Sequence, residues 1–148
     1  IVGPKLLNPD GSLQLSCAHF PRPWTPIFRR TFLGRFFQRH LDWFLMKSFS
    51  HDIIKEVDWL MGSCLMIRRS GFEGFDERFF MYFEDIDVCR RAWQADKKVV
   101  YNPRAEIIHH HARESARLPW YQSIFKDKLA QEHIRSWFKY FRKWGLRK

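Results

Sequence analysis

The arrangement of apolar and polar residues predicts a mixed succession of strands and helices. Ile1 to Leu7 reads as a short strand. Asn8-Pro9-Asp10-Gly11-Ser12 supplies turn chemistry, with Pro presetting φ, Asp supporting an Asx turn and Gly accepting positive φ. Leu13 to Cys17 then alternates apolar and polar and is expected to return as the second strand of a hairpin. Pro21, Pro23 and Pro26 interrupt regular structure, and the aromatic, basic stretch Ile27 to Lys47 predicts one or two helices with an unusually broad apolar face. Val57 to Arg68 is the clearest candidate for a buried strand, with Gly62 marking a bulge or a close backbone approach to a ligand. Glu84 to Ala95 is expected as a helix, because Ile86, Cys89 and Trp93 fall at i, i+3 and i+7. Its acidic first turn and its arginines Arg90 and Arg91 complement the helix dipole. Lys98 to Tyr101 and Ala105 to His109 predict two short strands separated by Asn102-Pro103. Trp120 to Trp144 predicts a basic amphipathic helix.

Composition narrows the class. Hydrophobic residues make up 45% and charged residues 28% of 148 residues, a globular balance that excludes disorder for most of the chain. Lys and Arg exceed Asp and Glu by ten, so the surface favours anionic partners: phosphates, nucleic acid or an acidic lipid leaflet. No apolar run approaches the roughly 18 residues of a membrane span. The chain shows no signal peptide, and its start at Ile1, already in a strand pattern, suggests a piece of a longer protein. The three cysteines, Cys17, Cys64 and Cys89, are widely spaced among apolar neighbours. They read as small buried hydrophobes in a reducing compartment rather than as a disulfide framework or zinc site.

Three clusters could carry chemistry. Phe83-Glu84-Asp85-Ile86-Asp87 puts three carboxylates at a predicted helix start. Free backbone N–H groups there favour the ionised form, which suits a proton acceptor or a metal ligand. Acidic first turns are also common as ordinary helix stabilisers, and a lone D-x-D is weak as a metal motif. His109-His110-His111 closes a strand, where an imidazole can ligate a metal or end the strand in solvent. The stretch His133 to Trp144 interleaves aromatics with Lys and Arg. It suits an interfacial membrane helix, a single-stranded nucleic-acid surface, or a helix docked on its own domain with a wet basic face.

Taken in order, these segments resemble family 2 inverting glycosyltransferases, especially the bacterial rhamnosyltransferase-like group. Val57-Asp58-Trp59-Leu60-Met61-Gly62-Ser63-Cys64-Leu65-Met66-Ile67-Arg68-Arg69 resembles one family strand. Gly74-Phe75-Asp76-Glu77-Arg78-Phe79-Phe80-Met81-Tyr82-Phe83-Glu84-Asp85-Ile86-Asp87-Val88-Cys89-Arg90-Arg91 resembles its long acidic signature. Val99-Val100-Tyr101-Asn102-Pro103, Glu106 to His109 and Ser115 resemble its continuation. Gly3 to Leu7 with Asp10-Gly11-Ser12 resembles its mid-chain hairpin.

The resemblance implies an α/β chain: the C-terminal, acceptor-binding half of a Rossmann-like GT-A fold over residues 1–117, followed by a basic amphipathic helix over 118–148. It implies Asp85 as catalytic base, Glu84 as its acceptor-side neighbour, and Trp59 and Gly62 as the wall between donor sugar and acceptor. It implies His109 as the residue facing metal or diphosphate, with His110 as the fallback. The family's metal-binding D-x-D belongs to the preceding half, so a divalent cation, Mg2+ or Mn2+, is expected with that half, and Asp85-Ile86-Asp87 is not the equivalent motif.

The implied reaction transfers a sugar from a nucleotide diphosphate sugar to a cell-surface glycan or lipid-linked acceptor with inversion. Hydrolytic glycosidases use two carboxyl groups across the bond, and nothing here indicates the second. The expected setting is cytoplasmic, peripheral at the inner face of a bacterial membrane, with an anionic membrane surface as a further partner and nucleic acid disfavoured. The rival reading is a basic nucleic-acid- or membrane-surface-binding module without catalysis.

Overall fold

A computed structural model describes residues 1–110 and 127–145. Its strands are β1 (Val2–Leu7), β2 (Leu13–Gln14), β3 (Cys17–Ala18), β4 (Lys55–Glu56), β5 (Trp59–Leu60) and β6 (Val100–Ile108). Its helices are α1 (Thr25–Arg30), a 3-10 turn (Phe32–Arg35), α2 (Gln38–Phe44), α3 (Glu84–Gln94) and α4 (Lys128–Trp144). The main sheet runs β2-β1-β6-β4, and β3 and β5 form a separate antiparallel pair. β1 and β6 are parallel, which demands a long crossover, and every other described element except α4 lies within it. The mixed α/β class is the one expected.

The β1–β6 ladder explains why a single strand replaces the two predicted around Asn102-Pro103. Pro4 lies opposite Asn102, while the next residue, Lys5, lies opposite Glu106. Pro4 and Pro103 have no N–H to give, so the ladder skips Pro103 to Ala105 as a bulge and resumes. The predicted hairpin also differs. Leu13 and Gln14 pair with β1, but Cys17 and Ala18 leave that sheet to pair with Leu60 and Trp59. The long buried strand expected over Val57 to Arg68 is reduced to Trp59–Leu60 and one bridge between Met66 and Val2. The chain turns out at Gly62 and Ser63, both exposed, and Met66 is 77% exposed.

Leu6, Leu60, Val99, Tyr101, Phe44 and Cys89 are almost wholly buried and form the core between the sheets and α3. Cys17 joins them, whereas Cys64 is only half-buried, and all three thiols are free. The region expected as one or two helices forms α1, the 3-10 turn and α2. It buries Phe44 and Met46 but leaves Phe32, Phe36 and Phe37 exposed. α4 has an Asp127 cap whose carboxylate accepts the Leu129 N–H, and it ends at Gly145 with φ 71°. Residues 120–126 of the predicted tail helix lie outside the described residues.

Candidate active site

The site is built where α3 starts. The two residues before it, Tyr82 and Phe83, both have left-handed backbone, with φ of 67° and 66°. That conformation costs a non-glycine residue about 1–3 kcal/mol and persists only where surrounding contacts hold it. The contacts come from α4. The His133 ring lies 4.8 Å from that of Tyr82 and 5.4 Å from that of Phe83, and the Tyr140 ring lies 5.2 Å from Phe83. The Ser136 hydroxyl donates to the Met81 carbonyl at 2.8 Å. Burial holds His133 neutral, its pKa pushed down to about 3 with help from Arg30 and Arg29.

This turn throws Glu84 and Asp85 onto the first turn of α3. Asp85 Oδ1 accepts the Ile86 N–H at 2.8 Å, one of the helix's free donors. Its Oδ2 accepts the Gly62 N–H at 3.0 Å from the turn after β5. A Cβ on Gly62 would lie 3.3 Å from Asp85 Cβ, a tight contact that Asp85 would have to relieve by a few tenths of an ångström. Both amides favour the carboxylate. Desolvation, followed by repulsion from Glu84, outweighs them and raises the Asp85 pKa to about 7. Burial also pushes the Glu84 carboxyl up. Glu84 Oε2 is sealed from solvent and accepts no hydrogen bond among the described residues. The first turn therefore holds one carboxyl poised to exchange a proton near neutrality and, beside it, a carboxyl oxygen with an unused lone pair.

Asp87 lies two residues beyond Asp85, on another side of α3, and is fully buried. Its Oδ2 accepts Arg91 Nε at 3.0 Å, and its Oδ1 meets Lys143 Nζ at 2.7 Å and the Trp144 indole N–H at 2.8 Å. It is an internal ion-pair anchor with every approach taken by protein. Sequence reasoning counted it with the helix-dipole acids. Its partners in α4 were legible only as a generic basic, aromatic face.

Trp59 lies on β5, which packs against α3. It is buried, with its indole N–H donating to the His19 carbonyl at 2.8 Å. Gly62 and Asp85 are thus joined directly, with Glu84 next to Asp85 in the chain, while the Trp59 indole points its N–H to His19 and packs by Phe44. His109 stands just past β6, its amide bonded to the Leu7 carbonyl and its Nδ1 2.7 Å from Gln14 Oε1. Gln14 gives its amide nitrogen to Asn8 Oδ1 at 2.9 Å, so its Oε1 is the side that accepts from the His109 Nδ1–H. The steps from this imidazole to Asp85 run through β2, the Ser16 carbonyl bonded to Met61 N, and Gly62. His109 is half-buried, His110 is exposed, and His111 and Ser115 lie outside the described residues.

Among the described residues no three His, Cys, Asp or Glu side chains gather to hold a metal ion. The donor set in these residues does not fit a complete metal site. A broad groove bordered by Ile1, Met66, Phe72, Arg91 and Lys97 contains none of the candidate residues. No described helix is long and apolar enough to cross a membrane.

Comparison with known proteins agrees with the resemblance. The chain is 35% identical over 99% of its length to an N-acetylglucosaminyl-diphospho-decaprenol L-rhamnosyltransferase of Mycobacterium tuberculosis, covering 50% of that protein. It is 38% identical over 57% of its length to the rhamnosyltransferase WbbL of Escherichia coli K12, covering 30% of it. It is 28% identical over 86% of its length to the low-salt glycan biosynthesis hexosyltransferase Agl10 of Haloferax volcanii, covering 38% of it. The chain thus spans half or less of the length of these relatives. No family model matches, and no solved structure matches.

Proposed function

We propose that this chain, a homologue of rhamnosyl- and hexosyltransferases and consistent with family 2 of the glycosyltransferases, supplies the acceptor-side half and the catalytic base of an inverting sugar transfer. The donor is a nucleotide diphosphate sugar and the acceptor a cell-surface glycan or lipid-linked saccharide. The observation that carries the reading is the Asp85 carboxyl, fixed by the Gly62 and Ile86 amides and poised by burial at a pKa of about 7.

A base for an alcohol must be deprotonated at working pH yet basic enough to take a proton as the new bond forms, and a value near neutrality meets both needs. In this reaction the acceptor hydroxyl gives its proton to Asp85, its oxygen bonds to the anomeric carbon, and the nucleoside diphosphate leaves with the old bonding pair. Attack opposite the leaving group inverts the anomeric centre. Glu84, its carboxyl pushed up by burial, is the acceptor-side neighbour of Asp85. Gly62 and Trp59 are the donor–acceptor wall. The indole is anchored by its bond to His19, and the glycine leaves room beside Asp85.

A divalent ion, where one is bound, would neutralise charge on the departing diphosphate. That ion is expected with the preceding half of the fold, and His109, whose ring meets Gln14 Oε1 at 2.7 Å, is the residue of this chain proposed to face the metal or diphosphate. The expected place of work is the cytoplasmic face of a membrane. Exposed Phe138 with Arg135 and Arg142 on α4, and Phe32 and Phe36 with Arg35 and Arg39, offer aromatic and cationic contacts to an anionic leaflet.

The test is transfer by the full protein from a set of nucleoside diphosphate sugars to a lipid-linked saccharide, with the product's anomeric configuration read by NMR. Inverted product supports the proposal. Retained configuration, or no transfer from any donor, overturns it.

A further inference from the structure

The relation between α4 and α3 goes beyond packing. Lys143 Nζ lies 2.7 Å from Asp76 Oδ2 and 2.7 Å from Asp87 Oδ1, so one ammonium group ties the loop before α3 to the body of α3. Trp144 donates a second bond to Asp87. Earlier on α4, Lys139 Nζ donates to the Arg78 carbonyl at 2.7 Å and Ser136 to the Met81 carbonyl at 2.8 Å. Asp76 is held well below the usual carboxylate range by Arg78 and then by Lys143, so the bridge stays charged. Successive turns of α4 thus grip positions 76, 78, 81 and 87 along the segment that carries Asp85. Between positions 81 and 87 lie the two left-handed residues, which no side-chain cap on α3 secures.

We infer that α4 is a positioning element for the candidate base: Lys143, Trp144 and Ser136 hold the loop and Asp87 so that the strained turn presents Asp85 to Gly62. Asp85 sits at the end of this arrangement without itself touching α4 in any of these bonds. A tail that served only as a surface appendage would not need a buried bifurcated ion pair. Removing one partner of such a pair leaves a charge buried and weakly compensated, so the arrangement is sensitive to single changes. The inference rests on the proposed role of Asp85 for its catalytic consequence but not for its structural one, and the two are measured separately.

The experiment compares wild type, Lys143→Met, Lys143→Arg, Trp144→Phe and Ser136→Ala in the full protein. The first readout is hydrogen exchange at the Gly62 and Ile86 amides, the two donors to Asp85, against amides of the β1–β6 ladder. Lys143→Met is expected to lower protection of the first pair at least about tenfold relative to the ladder, and Lys143→Arg to restore it. Trp144→Phe and Ser136→Ala, which leave the charges in place, are expected to shift protection the same way by less, and they carry the test if Lys143→Met does not fold. The second readout is transfer kinetics, where kcat is expected to fall about tenfold or more with donor KM unchanged. Equal loss of protection at both sets of amides, or no loss in the two milder variants, overturns the inference. Wild-type protein without transfer activity, with the exchange pattern intact, overturns the catalytic reading of Asp85 and leaves the positioning role standing.

Discussion

The Gly62 amide donates to Asp85 Oδ2 at 3.0 Å, joining the turn after β5 to the first turn of α3. With the Ile86 amide already on Oδ1, this contact fixes the second oxygen of the carboxylate. A Cβ at position 62 would stand 3.3 Å from Asp85 Cβ and 3.5 Å from its Oδ2. Gly62→Ala is therefore expected to displace Asp85 or break the bond. Losing a donor to the charged form raises a carboxyl pKa further. The alkaline-rising limb of kcat/KM is expected to move to higher pH, with kcat reduced about tenfold or more. Unchanged kinetics in Gly62→Ala would show that the contact is incidental.

A raised pKa also makes Asp85 a liability to the fold, and the sign follows from proton counting. Between about pH 4 and 7 the unfolded chain has already lost this proton while the folded chain, with its pKa of about 7, retains it. Stability from this group therefore falls as pH rises through that window, and Glu84, also raised, contributes in the same direction. Asp85→Asn removes the dependence. Its melting temperature relative to wild type is expected to rise from pH 4 to pH 8. A constant or falling difference would contradict the burial argument.

Attraction to an anionic leaflet weakens with salt, while docking through apolar contacts does not. The protein is expected to sediment with vesicles containing phosphatidylglycerol, and binding is expected to drop between low and physiological salt. Phe138→Ser with Arg142→Ser should reduce it without unfolding α4, because both side chains are exposed. Equal binding to neutral and anionic vesicles, or none to either, would assign α4 to docking alone. Stronger salt-sensitive binding to single-stranded nucleic acid would favour the rival function.

Short-range signals in the sequence carried the helices well. The i, i+3, i+7 apolar stripe located α3, and its extent, Glu84–Gln94, differs from the expectation by one residue. β1 was legible because its mostly apolar run, Val2 to Leu7, ends at the turn residues Asn8 to Ser12. The strand around Val57 was not, because its apolar run reflects contacts of several kinds. Leu60 faces the core, Gly62 leaves it to reach Asp85, and Met66 only bridges to Val2. Asp85 stood out only through the family resemblance, since three acids at a helix start look alike until tertiary contacts separate them. One meets backbone amides, one keeps a bare oxygen, and Asp87 is sealed between Arg91 four residues on and, across to α4, Lys143 and Trp144, 56 and 57 residues away. No local pattern encodes that last pairing.

The base assignment can be contradicted by a single rate. Asp85→Asn keeps the size of the side chain but cannot take a proton near neutrality, and general-base catalysis contributes about 10²–10⁴-fold. In the full protein, measured under single-turnover conditions with saturating donor and acceptor, the variant is expected to lose transfer rate in that range while donor affinity stays near wild type. Glu84→Gln is expected to lose less, chiefly in acceptor KM. Wild-type turnover in Asp85→Asn would remove Asp85 as the base.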